Sequence, residues 1–188
     1  MSLEIKHRNL FESSESGIIL TVDGAARGME GNLARTFARL NADAWEEIEF
    51  DIEYPIPLGS SKVYEVHPDI ECNNRYCFIA STLNHLDVLS DEEKLKIQSS
   101  ALRHVLSLAE AKGVRDIGTA ILVGGWRLEL EVALEEMIST YRRAASISNT
   151  IPSLSIYVLA SSEFERIEKY LQQHHSYAVF GRGSVKIS

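Results

Sequence analysis

Short apolar runs alternate along this chain with longer segments of helical periodicity, and this alternation constrains the fold more than any other feature. Residues 18–22 (IILTV) form an apolar run bounded by glycine, which suits a buried strand. From Leu33 onward, Leu33, Phe37, Leu40, Ala44 and Ile48 form one apolar stripe of helical period. YPIPLGSSKVYEV turns at proline and glycine into an alternating strand at 62–66, and RYCFIAST (75–82) reads as a buried strand. LSDEEKLKIQSSALRHVLSLAEAKG has Ser90 at its start, acids in its first turn and Gly113 at its end. That is the pattern of a capped helix, with Leu95, Leu102, Val105, Leu106 and Ala109 facing inward. DIGTAILV (116–123) and LSIYVLA (154–160) read as further strands, each followed by a helix. In the last helix Ser162 and Glu165 have capping-box spacing, and YAVFGRGSVKIS adds one edge-like strand.

Strands that alternate with helices in this way predict an α/β fold, a three-layer α/β/α domain around a mixed, largely parallel central sheet. A chain of 188 residues has room for one such domain with a sizeable core, here expected over 4–188. Residues 174–188 read as an extra edge strand or tail, and Met1-Ser2-Leu3 are set aside as a vector-like remnant. The formal net charge of −8 argues against a nucleic-acid or anionic-membrane surface, because no block of Lys and Arg offsets it. No apolar stretch approaches the roughly 20 residues of a membrane span. Cys72 and Cys77 are the only cysteines, too close for a disulfide to stabilise much, so reduced thiols and a cytoplasmic location are expected.

In sheets of this kind ligands sit beyond the carboxyl ends of the strands. Two glycine-rich loops lie there, because each follows a strand and precedes a helix: 23–31, with Gly24, Gly28 and Gly31, and Gly124-Gly125. Each admits two readings, a tight crossover or a cradle of backbone N–H groups for an anion at a helix N-terminus. A strict G-x-G-x-x-G and a Walker lysine are both absent, so neither a Rossmann site nor a P-loop is supported.

The element order with this glycine placement resembles the macro domain, a family known for binding ADP-ribose, over about Lys6 to Leu171. Val22-Asp23-Gly24-Ala25-Ala26 stands at the family's V-N-x-A-N segment, and Gly31-Asn32-Leu33-Ala34-Arg35-Thr36-Phe37 resembles the glycine and V-A-x-A-I stretch after it. Tyr76-Cys77-Phe78-Ile79-Ala80-Ser81-Thr82 is similar to the Y-V-I-H-T strand. Val123-Gly124-Gly125-Trp126 is similar to the second phosphate loop, and HRNLF (7–11) to a G-D-L-F start. The chain also departs from the pattern. Asp23 and Ala26 replace two asparagines, and Asn9 replaces the aspartate that holds the adenine amino group. Ser81-Thr82 stand near the place where the carboxylate-releasing branch of the family has a lysine, and the second loop lacks that branch's aspartate. The resemblance implies the fold and a nucleotide ligand, without the family's hydrolytic residues.

On this reading Asn9, Asp23, Gly24, Gly28, Gly31, Asn32, Leu33, Val123, Gly124, Gly125 and Trp126 are the candidate ligand-binding residues, with Arg27 and Arg35 as further phosphate candidates. Asp23 and His85 are the only candidates for catalysis, and Asn84, His85 and Asp87 equally suit capping of the loop before Ser90. His174-His175 have no carboxylate or Cys partners in sequence, so neither a metal nor a cofactor is assigned. Three functions remain open: binding of ADP-ribose or a related nucleoside diphosphate without catalysis, hydrolysis of an ADP-ribosyl ester or phosphate, and a protein-interaction module with a vestigial cleft.

Overall fold

The computed structural model describes residues 2–28, 31–83, 88–123 and 128–187. Among these residues eight strands and five helices follow in the order β1 (Leu3–His7), β2 (Gly17–Asp23), α1 (Asn32–Leu40), α2 (Ala42–Asp51), β3 (Ser61–Glu65), β4 (Tyr76–Leu83), α3 (Asp91–Lys112), β5 (Asp116–Ala120), α4 (Leu130–Ile147), β6 (Ser153–Val158), α5 (Ser161–His174), β7 (Ala178–Gly181) and β8 (Ser184–Ile187). One short 3-10 turn, Leu10–Glu12, lies between β1 and β2. All strands belong to one sheet of order β3-β4-β2-β5-β6-β1-β8-β7. The stretch from β4 to β1 is parallel, while β3 pairs antiparallel with β4, β8 antiparallel with β1, and β7 antiparallel with β8.

Strand alternation divides the core between the two faces of the sheet. On one face Ile18, Leu20, Val22, Cys77 and Ile79 pack under Ala34 and Phe37 of α1 and Trp45 and Ile48 of α2. On the other, Ile19, Phe78, Ile117 and Ile156 meet the apolar faces of α3, α4 and α5. The result is the three-layer α/β/α arrangement expected from the sequence. No helix of the described residues is long and apolar enough to cross a membrane.

The structure corrects the sequence reading in four places. The stripe from Leu33 to Ile48 is two helices, because Asn41 (φ −134°, ψ 60°) closes α1 and opens α2. Its N–H donates to the Phe37 carbonyl and its own carbonyl accepts from Trp45, so the change of direction turns Leu40 out to solvent. Leu3, set aside with Met1 and Ser2, opens β1, and it lies in the core with Ile5. The single terminal strand is a hairpin, β7 and β8, turning at Gly183 (φ 72°), with β8 paired to β1. Finally, α5 begins at Ser161 with Ala160 as its N-cap and no side-chain cap, so Ser162 and Glu165 form no capping box. Ser90 does cap α3, reciprocally with Glu93.

Both thiols are free. Burial raises Cys72 above its ordinary value and Cys77 much further. A disulfide reagent should therefore titrate Cys72 slowly in the native protein and both thiols only after denaturation. Rapid reaction of Cys77 in the native state would contradict its place in the core.

Candidate functional site

Above the carboxyl ends of β2, β5 and β6 lies a cleft of two adjoining lobes, about 460 and 430 Å³. Each is within the size range of small-molecule sites. Leu33, Ala120, Ile121 and Val123 line both lobes and form the partition between them. This is where a parallel sheet places a ligand, beyond the strand ends.

The second lobe is bounded by Thr21 and Val22 of β2, by Thr82 and Leu83 of β4, and by the start of α1. Gly31 is the N-cap of α1 and offers no side chain to the helix end, and the first turn of α1 contains no acid. The N–H groups that open a helix have no partner within it and carry a partial positive charge. The Gly31 N–H is occupied, donating to the Thr21 carbonyl at 3.1 Å. The next amides, those of Asn32 and Leu33, belong to residues that line the lobe, as does Arg35. An uncapped helix end beside a guanidinium is suited to an anion. The contrast is α3, whose N-terminus is taken by Ser90 and three acids.

The first lobe is lined by apolar side chains, among them Leu10, Phe11, Leu128, Leu130 and Leu159, and by the polar Arg8, Glu163 and Arg166. Arg166 is paired with Glu131 through a bidentate contact, at 2.9 and 2.8 Å from Nη2. Tyr157 closes one wall. Its hydroxyl donates to Glu15 Oε2 at 2.6 Å, and Lys6 Nζ donates to Glu15 Oε1 at 2.7 Å. Burial pushes the Glu15 carboxyl up, but the hydrogen bonds from Lys6, Tyr157 and Ser155 outweigh it and hold the group below its ordinary value. The Tyr157 hydroxyl is raised, first by burial and then by donation to the Glu15 carboxylate.

Of the candidate residues, Gly31, Asn32, Leu33 and Val123 line the second lobe, with Arg35 beside them, and Asn9, Leu33 and Val123 line the first. The Asn9 side chain is engaged locally: Oδ1 accepts from the Phe11 N–H at 3.1 Å and Nδ2 donates to Glu12 at 3.2 Å. Asp23 is buried and lines neither lobe; its Oδ1 accepts the Ala25 N–H at 2.9 Å, an Asx turn. Gly24 is likewise outside the cleft, its carbonyl accepting from the Ile56 N–H at 2.8 Å. Gly28 sits in an exposed turn with φ 81°. Arg27 points to the end of α2, donating to the Ile52 carbonyl at 3.4 Å. His85 with its neighbours Asn84 and Asp87, and Gly124, Gly125 and Trp126, lie outside the described residues.

The reading from sequence did not include Arg8, Thr21, Tyr157 or Arg166 in the cleft. Thr21 and Tyr157 stand near strand ends, the one signal that pointed to them. His175, given no carboxylate partner from the sequence, is the buried C-cap of α5, its Nε2 2.7 Å from Glu135. Among the described residues no group of three or more His, Cys, Asp or Glu is placed to hold a metal.

The sequence matches no family model and no curated protein. The structure does match known ones. A mutant of the Oceanobacillus iheyensis macrodomain aligns with a TM-score of 0.72 at 12% identity, over 91% of each chain. The Trypanosoma brucei macrodomain in complex with ADP-ribose gives 0.71 at 14% identity, over 89% of this chain and 68% of that one. The O. iheyensis macrodomain with ADP gives 0.70 at 13% identity, over 91% of this chain and 90% of that one. The chain therefore has the macrodomain fold.

Proposed function

We propose that this chain is a binding module for ADP-ribose or a related nucleoside diphosphate, acting without catalysis. The observation that carries this reading is the N-terminus of α1, which has no side-chain cap and opens with Arg35 onto one lobe of a cleft whose other lobe holds Leu10, Phe11 and Tyr157. The diphosphate lies against the first-turn amides and Arg35, between residues 31–33 and Val123. The base and its ribose enter the first lobe. Similar structures solved with ADP-ribose and with ADP agree with such a ligand. Adenine is held loosely, because Asn9 is neutral and both polar atoms of its side chain already have partners.

Binding is favoured over hydrolysis by the place of Asp23. The hydrolytic reading requires that carboxylate to orient a water beside the ligand, yet it is buried outside both lobes and accepts a turn amide.

Titration calorimetry with ADP-ribose, ADP and pyrophosphate tests the proposal, alongside thermal melting. A ligand at 100 times its Kd stabilises by about 2.7 kcal/mol, which is a rise of several degrees at this chain length. Arg35→Ala removes one charged partner of the phosphates, worth about 1.5–3 kcal/mol, so affinity should fall by at least tenfold with the melting point little changed. No stabilisation by any of the three ligands at millimolar concentration would overturn the proposal and favour a protein-interaction role.

A further inference from the structure

Glu15 is a buried carboxylate behind the cleft, and it lines neither lobe. It lies in residues 13–16, the segment that joins the 3-10 turn to β2. That turn supplies Leu10 and Phe11 to the first lobe, and Tyr157 of β6 supplies the facing wall. Glu15 connects the two. One carboxylate oxygen accepts from the Tyr157 hydroxyl at 2.6 Å and the other from Lys6 at 2.7 Å. Lys6 and Tyr157 are register partners on β1 and β6, and the Lys6 ammonium stands 5.3 Å from the centre of the Tyr157 ring. The segment is fixed from below by buried Asn74, whose Nδ2 donates to the Glu15 carbonyl at 2.8 Å and to Ser13 Oγ at 3.3 Å.

We propose that Glu15 is a positioning residue for the nucleoside lobe: by clamping Tyr157 to the segment that follows the 3-10 turn, it sets the distance between the two walls that grip the base. The inference rests on the reading of that lobe as the base site. A buried, charge-assisted network between two walls keeps them at one separation, whereas apolar contact alone lets them slide. The second lobe shares no side chain with this network, so the clamp acts on the base and not on the diphosphate.

Tyr157→Phe tests this with the ring retained and only the hydroxyl lost, and Glu15→Gln keeps an acceptor while removing the charge. In folded Tyr157→Phe the Kd for ADP should rise about tenfold while that for pyrophosphate stays within about twofold. Glu15→Gln should fall between Tyr157→Phe and the wild type. A second measurement needs no ligand. Hydrogen exchange at the amides of Phe11, Glu12 and Ser13, all hydrogen-bonded within the turn, should speed up about tenfold in Tyr157→Phe. Unchanged exchange, unchanged ADP affinity, or equal weakening of ADP and pyrophosphate would each overturn the clamp. If the wild-type protein binds neither ligand, the reading of the cleft fails, and the exchange measurement alone decides whether Glu15 fixes the wall.

Discussion

Phe37→Ala is expected to cost the fold about 3–5 kcal/mol, the range for removing a fully buried aromatic side chain. At this chain length a kilocalorie corresponds to roughly 2–4 °C, so differential scanning calorimetry should show a melting point lower by about 6–20 °C. The reason is local. α1 is only nine residues long and buries two of them, Ala34 and Phe37. Phe37 meets the edge of Trp45 with ring centres 6.4 Å apart and packs in the same core cluster as Trp45 and Ile48 of α2 and Ile18, Leu20 and Val22 of the sheet. A helix this short has little stability apart from its packing. The same substitution should therefore also weaken the proposed nucleotide binding, through displacement of the α1 amides. A loss of less than about 3 °C would mean that α1 is held by something other than Phe37.

Gly31→Ala is the second large expected effect. A Cβ built at Gly31 would stand 2.6 Å from the Thr21 carbonyl oxygen and 3.0 Å from its Oγ1. The obstacle is backbone and cannot turn aside, so α1 and β2 must separate. Overpacking of this kind costs about 1–3 kcal/mol, which chemical denaturation can measure, and Gly31→Val should be worse. Gly28→Ala makes the control. Nothing lies within 4 Å of the added Cβ, but the left-handed φ of 81° still costs an alanine about 1–2 kcal/mol. If Gly31→Ala melts like the wild type, the close approach of α1 to β2 is not a constraint on the fold.

These glycines also show how far the sequence could be read. Their spacing marked a loop at the ligand edge of the sheet, and Gly31 does lie in the cleft. Yet each glycine has its own mechanical reason. Gly24 packs so closely that a Cβ would fall 2.2 Å from both the Ile56 carbonyl and Ser81 Oγ. Gly28 makes a turn, and Gly31 makes the approach to Thr21. Glycine spacing by itself reports that side chains are excluded but not which neighbour excludes them. The strands and helices were legible because hydrophobic period depends on neighbours three or four residues apart at most. What escaped depends on distant partners. Asn41 ends a helix inside an unbroken apolar stripe, and Leu40 is exposed as a result. Glu15 and Tyr157 are separated by 142 positions, and no local pattern announces that pair. The start of α1 shows the opposite case: glycine at the N-cap, which offers the helix end no side chain, and no acid in the first turn were readable from the sequence.

The placement of β1 has a consequence for how the chain is made. Leu3 pairs with Leu154 on one side and Ile187 on the other, so the earliest strand waits for the two latest parts of the sheet. Pairings so distant along the chain carry a large loop-closure cost and slow folding. On the ribosome, β2, β4 and the helices α1 to α3 emerge with neighbours already at hand, and this half can condense early. Leu3 and Ile5 have no sheet neighbour until residues 153–158 are synthesised, and no second one until β8 follows. The half of the sheet around β1 therefore closes only after translation has passed residue 187, and until then the apolar Leu3 and Ile5 are a place where newly made chains can stick to one another.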